Sequence, residues 1–112
     1  MRVAADEIGR HGVRVNAIRP GLTATGATEF MMAQQAILDR FLAEQPLARR
    51  GEAADQGRLV RFLAGPESAW ITGQSITADG GHTLRRFPDM EDLARQVVGE
   101  ASFDAIARGE EP

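Results

Sequence analysis

The sequence contains no cysteine and no tyrosine, and its 13 basic residues are all arginine. Without cysteine there is no disulfide scaffold, no thiolate nucleophile and no cysteine-rich zinc site, and the composition fits a reducing cytoplasm. The two histidines, His11 and His82, stand far apart with no ligand-pair spacing, so a metal site is not expected. No basic run exists and the net charge is −3, which gives nucleic-acid binding little support. No apolar run is long enough to cross a membrane. The first ten residues hold Asp6 and Glu7 and lack an apolar segment, so they do not read as a secretory leader. Aromatic residues make up only 5% of the chain, so a core must rest on Leu, Ile, Val and Ala. What is present is ordinary: 43% hydrophobic and 26% charged residues over 112 positions, the composition of a soluble folded domain rather than a disordered one.

Along the chain, Met1–Ile8 reads as the last turns of a helix. Val3, Ala4 and Ile8 share one face, and Gly9 or Gly12 suits the left-handed residue that ends it. Val13–Ile18 alternates and is bounded by Gly12 and Pro20, the pattern of a short strand. Pro20–Gly26 is rich in turn formers and small residues and reads as a loop. Thr28–Leu42 carries Phe30, Gln34, Ile37, Leu38, Phe41 and Leu42 at helical spacing, as one amphipathic helix or two shorter ones, stopped by Pro46. Ala53–Ala64 is a further helix, closed by Gly65-Pro66. Ser75–Asp79 is a second strand, closed by Gly80-Gly81. The tail opens on Arg85-Arg86. A helix capped by Asp89 follows, with Met90, Leu93, Ala94, Val97 and Val98 on one face, then Gly99 and a short helical piece at Ser102–Ala107.

Strands separated by helical crossovers define an α/β chain with a parallel sheet. Two parallel strands alone make a poor sheet, because a parallel sheet needs its neighbouring strands and both faces covered. The expected architecture is therefore a partial Rossmann-type arrangement: two parallel strands, flanking helices and a helical C-terminal tail.

Four ordered segments carry a resemblance. Val13-Arg14-Val15-Asn16-Ala17-Ile18-Arg19-Pro20-Gly21 resembles the RVNAxxPG segment of short-chain dehydrogenases/reductases. Pro46–Glu52 resembles that family's PLxRxGxP run, Phe62-Leu63-Ala64 the end of its next helix, and Ile71–Gly81 its ITGQxxxxDGG segment. The resemblance covers residues 3–84 and says little about the tail. It divides the chain into 1–84, the C-terminal part of a Rossmann-type domain, and 85–112, a helical extension of that domain.

The resemblance implies an oxidoreductase that uses NAD or NADP to interconvert an alcohol and a carbonyl. It also shows what is missing. The family's glycine-rich phosphate loop, which holds the pyrophosphate at a helix N-terminus, is not in this sequence. Nor is its Tyr-x-x-x-Lys pair, in which the tyrosine acts as general acid/base and the lysine lowers its pKa. Arginine does not replace that lysine, being a differently shaped group. By alignment the pair falls about two helical turns before Met1, so the chain is expected to begin inside that helix, at an internal methionine.

What the resemblance leaves is the nicotinamide edge. It implies that Pro20, Gly21 and Thr23 line the ring, with Thr23 acting through its backbone, and that Thr25 offers a hydroxyl to the carboxamide. Without the resemblance the same residues form an ordinary loop. Ala27–Gln45 matches the variable substrate lid; Phe30, Met31, Met32, Ile37 and Leu38 either line an apolar pocket or pack on the core. Asp79 and Asn16 are expected to hold backbone, and His82 to lie on the surface. No residue is assigned to catalysis and none to metal.

The favoured expectation is thus a C-terminal portion of a nicotinamide-dependent oxidoreductase, inactive alone. Its alternatives are a non-catalytic oligomerisation module and one half of a two-piece enzyme. Its partner is then itself, through Ala53–Ala64 and Ser75–Asp79, or a separate N-terminal half; a small-molecule substrate belongs only to the completed enzyme. Nucleic acid and membrane are not expected partners.

Overall fold

The computed structural model describes residues 1–111. Helix α1 spans Arg2–Gly9 and is followed by strand β1, Ala17–Pro20. Ala5, rather than the expected Val3–Ala4–Ile8 face, is the buried residue of α1, while Val3 is 70% exposed. Ala5 lies against the turn at Gly73, where a Cβ would stand 3.6 Å from its own.

Strand β1 begins at Ala17 instead of Val13, because side chains hold the preceding residues in place of a ladder. Arg14 donates to Ser68 Oγ and to the carbonyls of Ile71 and Gly65. Asn16 donates to Ile71 O and accepts from Gln74 N, so it is the backbone-holding residue expected. Ser68 at the centre of this corner is fully buried. From Ala17 onward β1 pairs in parallel with β4, Ser75–Ala78, in the register Ala17↔Ser75 to Pro20↔Ala78. Pro20 has no N–H to give, and takes the end position, where strands tolerate proline.

The expected loop after β1 contains a second parallel pairing. Strand β2, Thr23–Ala24, pairs with β3, Gly51–Glu52. Between them the amphipathic stretch divides into α2, Glu29–Met32, and α3, Gln35–Ala43, with Gln34 extended at the break. Helix α4 follows β3 directly, over Ala53–Ala64 as the sequence predicts. Its first turn is closed by a capping box between Glu52 and Asp55, which satisfies amides that helix geometry leaves without partners. Gly57 within it costs about 1 kcal/mol relative to alanine.

The tail forms two short helices, α5, Glu91–Val98, and α6, Glu100–Ala107, separated by Gly99. Asp89 accepts from Glu91 N ahead of α5. Arg95 joins the helices by reaching Glu91, Glu100 and Asp104 while lying 4.3 Å over the Phe103 ring. The three carboxylates raise its pKa, side-chain hydrogen bonding to Asp104 most of all.

The buried apolar core among the described residues is small: Ala5, Met32, Ile37 and Phe41. The radius of gyration is 18.5 Å, against about 13 Å for a compact chain of this length. The sheet is correspondingly thin, two strands in each pairing. That is the incompleteness the alternation of strand and helix led one to expect.

Candidate functional site

The loop leaving β1 is tightly specified. Gly21 N donates to Ala78 O at 3.0 Å, carrying the ladder one residue past the strand. A Cβ on Gly21 would sit 2.5 Å from Asp79 Cα, so only glycine lets the two chains approach this closely. Thr23 is buried, and its hydroxyl donates to Gly21 O at 2.9 Å. Thr28 Oγ1 donates to Thr23 O at 2.6 Å and accepts from Thr25 N at 3.0 Å. Gln56 on α4 ties this loop to β4, donating to Thr23 Oγ1 at 3.3 Å and to Ala78 O at 2.9 Å, while its own carbonyl oxygen is buried without a partner.

Of the four residues assigned to the nicotinamide edge, the structure brings Pro20 and Gly21 together at one hollow and places Thr25 at another. Pro20, Gly21 and Leu22 border a hollow of about 530 Å³ with Phe41, His82 and Phe87. Thr25 borders a hollow of about 490 Å³ with Glu29, Met32 and Arg50. The Thr23 hydroxyl is taken up by Gly21 O and Gln56 Nε2. The Thr25 hydroxyl is exposed, 3.2 Å from Thr28 Oγ1.

The remaining polar residues do structural work. Asp79 Oδ1 accepts from Gly81 N and Oδ2 from Thr83 N, at 2.9 and 2.8 Å, closing the turn in which Gly80 and Gly81 both take positive φ. Burial alone would raise the Asp79 pKa, but the amides of Thr83 and Gly81 outweigh it and the net shift is downward. Asp55 is held at about 2, first by its hydrogen bond from Arg49 and then by the amide of Glu52.

One feature has no local signal in the sequence, and in the lid the structure divides the two alternatives. His82, expected on the surface, stacks against Phe87 at 5.8 Å and meets Phe41 edge-on at 5.6 Å, with Nε2 buried and unpartnered. Its tertiary neighbours come from α3 and the tail, which no local pattern reveals. In the lid, Met32 and Ile37 are buried whereas Phe30 is 68% exposed. The stretch thus supplies core from some of its apolar residues and bare surface from another.

A parallel strand ending in a Pro-Gly turn, a crossover of helices and a second parallel strand ending in Asp-Gly-Gly define the C-terminal side of a Rossmann-type sheet. The comparisons agree. The family model described as Enoyl-(Acyl carrier protein) reductase matches residues 1–83. The (3R)-3-hydroxyacyl-CoA dehydrogenase of Mus musculus is 40% identical over 80 residues, covering 71% of this chain and 30% of that protein. The structure of a short-chain type dehydrogenase/reductase from Mycobacterium ulcerans superposes with a TM-score of 0.84 at 36% identity, over 93% of this chain and 38% of that one. A 4-hydroxyisoleucine dehydrogenase complexed with NADH superposes at 0.74 and 29% identity, over 76% of this chain and 35% of that one. The chain belongs to the short-chain dehydrogenase/reductase family, matching a C-terminal portion of it. It spans about a third of the length of the relatives it matches.

Proposed function

We propose that this chain supplies the nicotinamide edge and the substrate lid of an oxidoreductase that interconverts an alcohol and a carbonyl with NAD or NADP, and that it has no turnover by itself. The observation that carries the reading is the loop Pro20–Thr25. Its backbone is fixed by Ala78, by the Thr23–Gly21 bond and by Thr28, so its outer edge is set before any ligand arrives. Preorganisation of that kind lowers the entropy cost of binding a flat ring. Pro20, Gly21 and the Thr23 backbone would hold the ring edge, and the exposed Thr25 hydroxyl would meet the carboxamide. When bound, the nicotinamide supplies or accepts the hydride. The chain's own part is to orient the ring and, through α2 and α3, to cover the substrate and exclude water.

The proton donor and the pyrophosphate cradle are not among these residues. The reading therefore needs the family's remaining strands, either from an N-terminal segment or from a complex that presents them beside β1. Among the described residues β1 pairs only with β4, which leaves its other edge open to such a neighbour. Self-association through Ala53–Ala64 and Ser75–Asp79 is the second partner this reading accommodates; Val60 and Phe62 on α4 are 48% and 40% exposed. No helix among the described residues is long and apolar enough to cross a membrane. A cytoplasmic site of action completes the reading, and the cysteine-free sequence is compatible with it.

The test is NAD(P)H consumption by this chain alone and after mixing with a family N-terminal segment carrying the glycine loop and Tyr-x-x-x-Lys. Turnover is expected only in the mixture, and Thr25→Val should lower it. Turnover by the chain alone would overturn the proposal.

A further inference from the structure

The hollow beside Pro20 and Gly21 has a chemistry that the nicotinamide reading does not use. Its apolar wall is a three-ring cluster. Phe41 comes from α3, His82 from the turn after β4 and Phe87 from the start of the tail; Phe41 and Phe87 meet edge-on at 5.5 Å. Its polar side is cationic. Arg19 and Arg85 both border the hollow.

These two arginines differ from most of the others. Arg40, Arg49, Arg58, Arg86, Arg95 and Arg108 each pair with a carboxylate. Arg19 has one neutral partner, donating through Nη2 to Thr77 Oγ1 at 2.6 Å, and Arg85 donates through Nη1 to Ala43 O at 2.9 Å. Neither has an ion pair among the described residues. Each bond also anchors its side chain, Arg19 to β4 and Arg85 to the last turn of α3, while most of the five N–H groups of each guanidinium stay free. The one carboxylate in the wall, Asp79, is turned into its own loop, where the amides of Gly81 and Thr83 take its oxygens. It does not neutralise either cation by contact.

Two arginines without ion pairs, bordering a ring-lined hollow of about 530 Å³, match a molecule with an anionic oxygen head and an apolar body. We propose that this hollow binds such a molecule, a carboxylate or phosphate ester bearing a short alkyl or aryl body, with Arg19 and Arg85 on the head and Phe41 and Phe87 on the body. That the molecule is the substrate rests on the proposed function, because the hollow opens on the Pro20–Gly21 edge. That the hollow binds it does not.

The experiment separates the two. The chain, without nicotinamide, is titrated with hexanoate, hexyl phosphate and hexanamide, following the NMR signals of Phe41, Phe87 and Thr83. Both anions should shift these signals saturably, and the neutral amide should bind about tenfold more weakly. A preference between hexanoate and hexyl phosphate identifies which head the site takes. Arg19→Gln and Arg85→Gln retain a donor for Thr77 and Ala43 but lose the charge; each should bring anion affinity down to that of the amide. Equal binding of hexanoate, hexyl phosphate and hexanamide, or no saturable shift with any of them, would overturn the proposal. Anion binding by the chain, with no effect of either anion on NAD(P)H turnover in the mixture with the N-terminal segment, would keep the site and sink only its assignment to a dehydrogenase substrate.

Discussion

The most constrained residue is Gly21. Its α-carbon faces Asp79 so closely that any side chain must push the turn after β1 away from the end of β4. Both neighbours are backbone-held: Gly21 by Ala78 and Asp79 by the amides that its carboxylate accepts. Overpacking at such points costs roughly 1–3 kcal/mol. Gly21→Ala should therefore lower stability to urea by about that amount, and should move the amide signals of Leu22 and Thr23 more than those of α6. A neutral effect would mean that the turn is slack and that the nicotinamide edge is not preset. The special role of this glycine was visible in the sequence only through the family's Pro-Gly motif; the collision with Asp79 comes from a strand 58 residues later by the Pro20↔Ala78 register.

At the scale of elements, helix α4 is set by its first turn. Asp55 accepts from Glu52 N and Arg49, and its pKa falls from the ordinary 3.8 to about 2. In the unfolded chain the carboxyl takes up its proton at the higher value. The stabilisation is therefore complete above about 3.8 and is lost as pH falls toward 2. Helical ellipticity should decline in that window, and Asp55→Asn should remove most of the pH dependence there. The two tail helices are joined to each other by one side chain. Arg95 on α5 holds α6 through Glu100 and Asp104, with Glu91 of α5 beside it, and α5 meets the body through the pair of Asp92 with Arg40. Arg95→Met should speed amide exchange across 91–107 and leave β1 and β4 unchanged. Helix α4 and strand β4 were legible from periodicity and from the glycine and proline stops around them. The extra β2–β3 pairing was not, because two-residue strands carry no alternation, and neither was the start of β1, because Arg14 and Asn16 anchor the chain through side chains that a strand pattern counts only as polar.

For the whole molecule, the small core, the thin sheet and the extended shape go together: the chain holds two two-stranded pairings and matches relatives more than twice its length. The family and the parallel topology were readable from four motifs. The division of the site was not: Thr25 and the Pro20–Gly21 pair open on different hollows because β2 turns the chain between them. Under the proposed function this chain offers a preset nicotinamide edge without the means to hold the rest of the cofactor. Titration of the chain with NADH, read by nucleotide fluorescence and by amide NMR shifts, tests it most directly. No saturation is expected in the micromolar range, with shifts at high NADH confined to Gly21–Thr25; micromolar affinity, or shifts centred elsewhere, would overturn this reading.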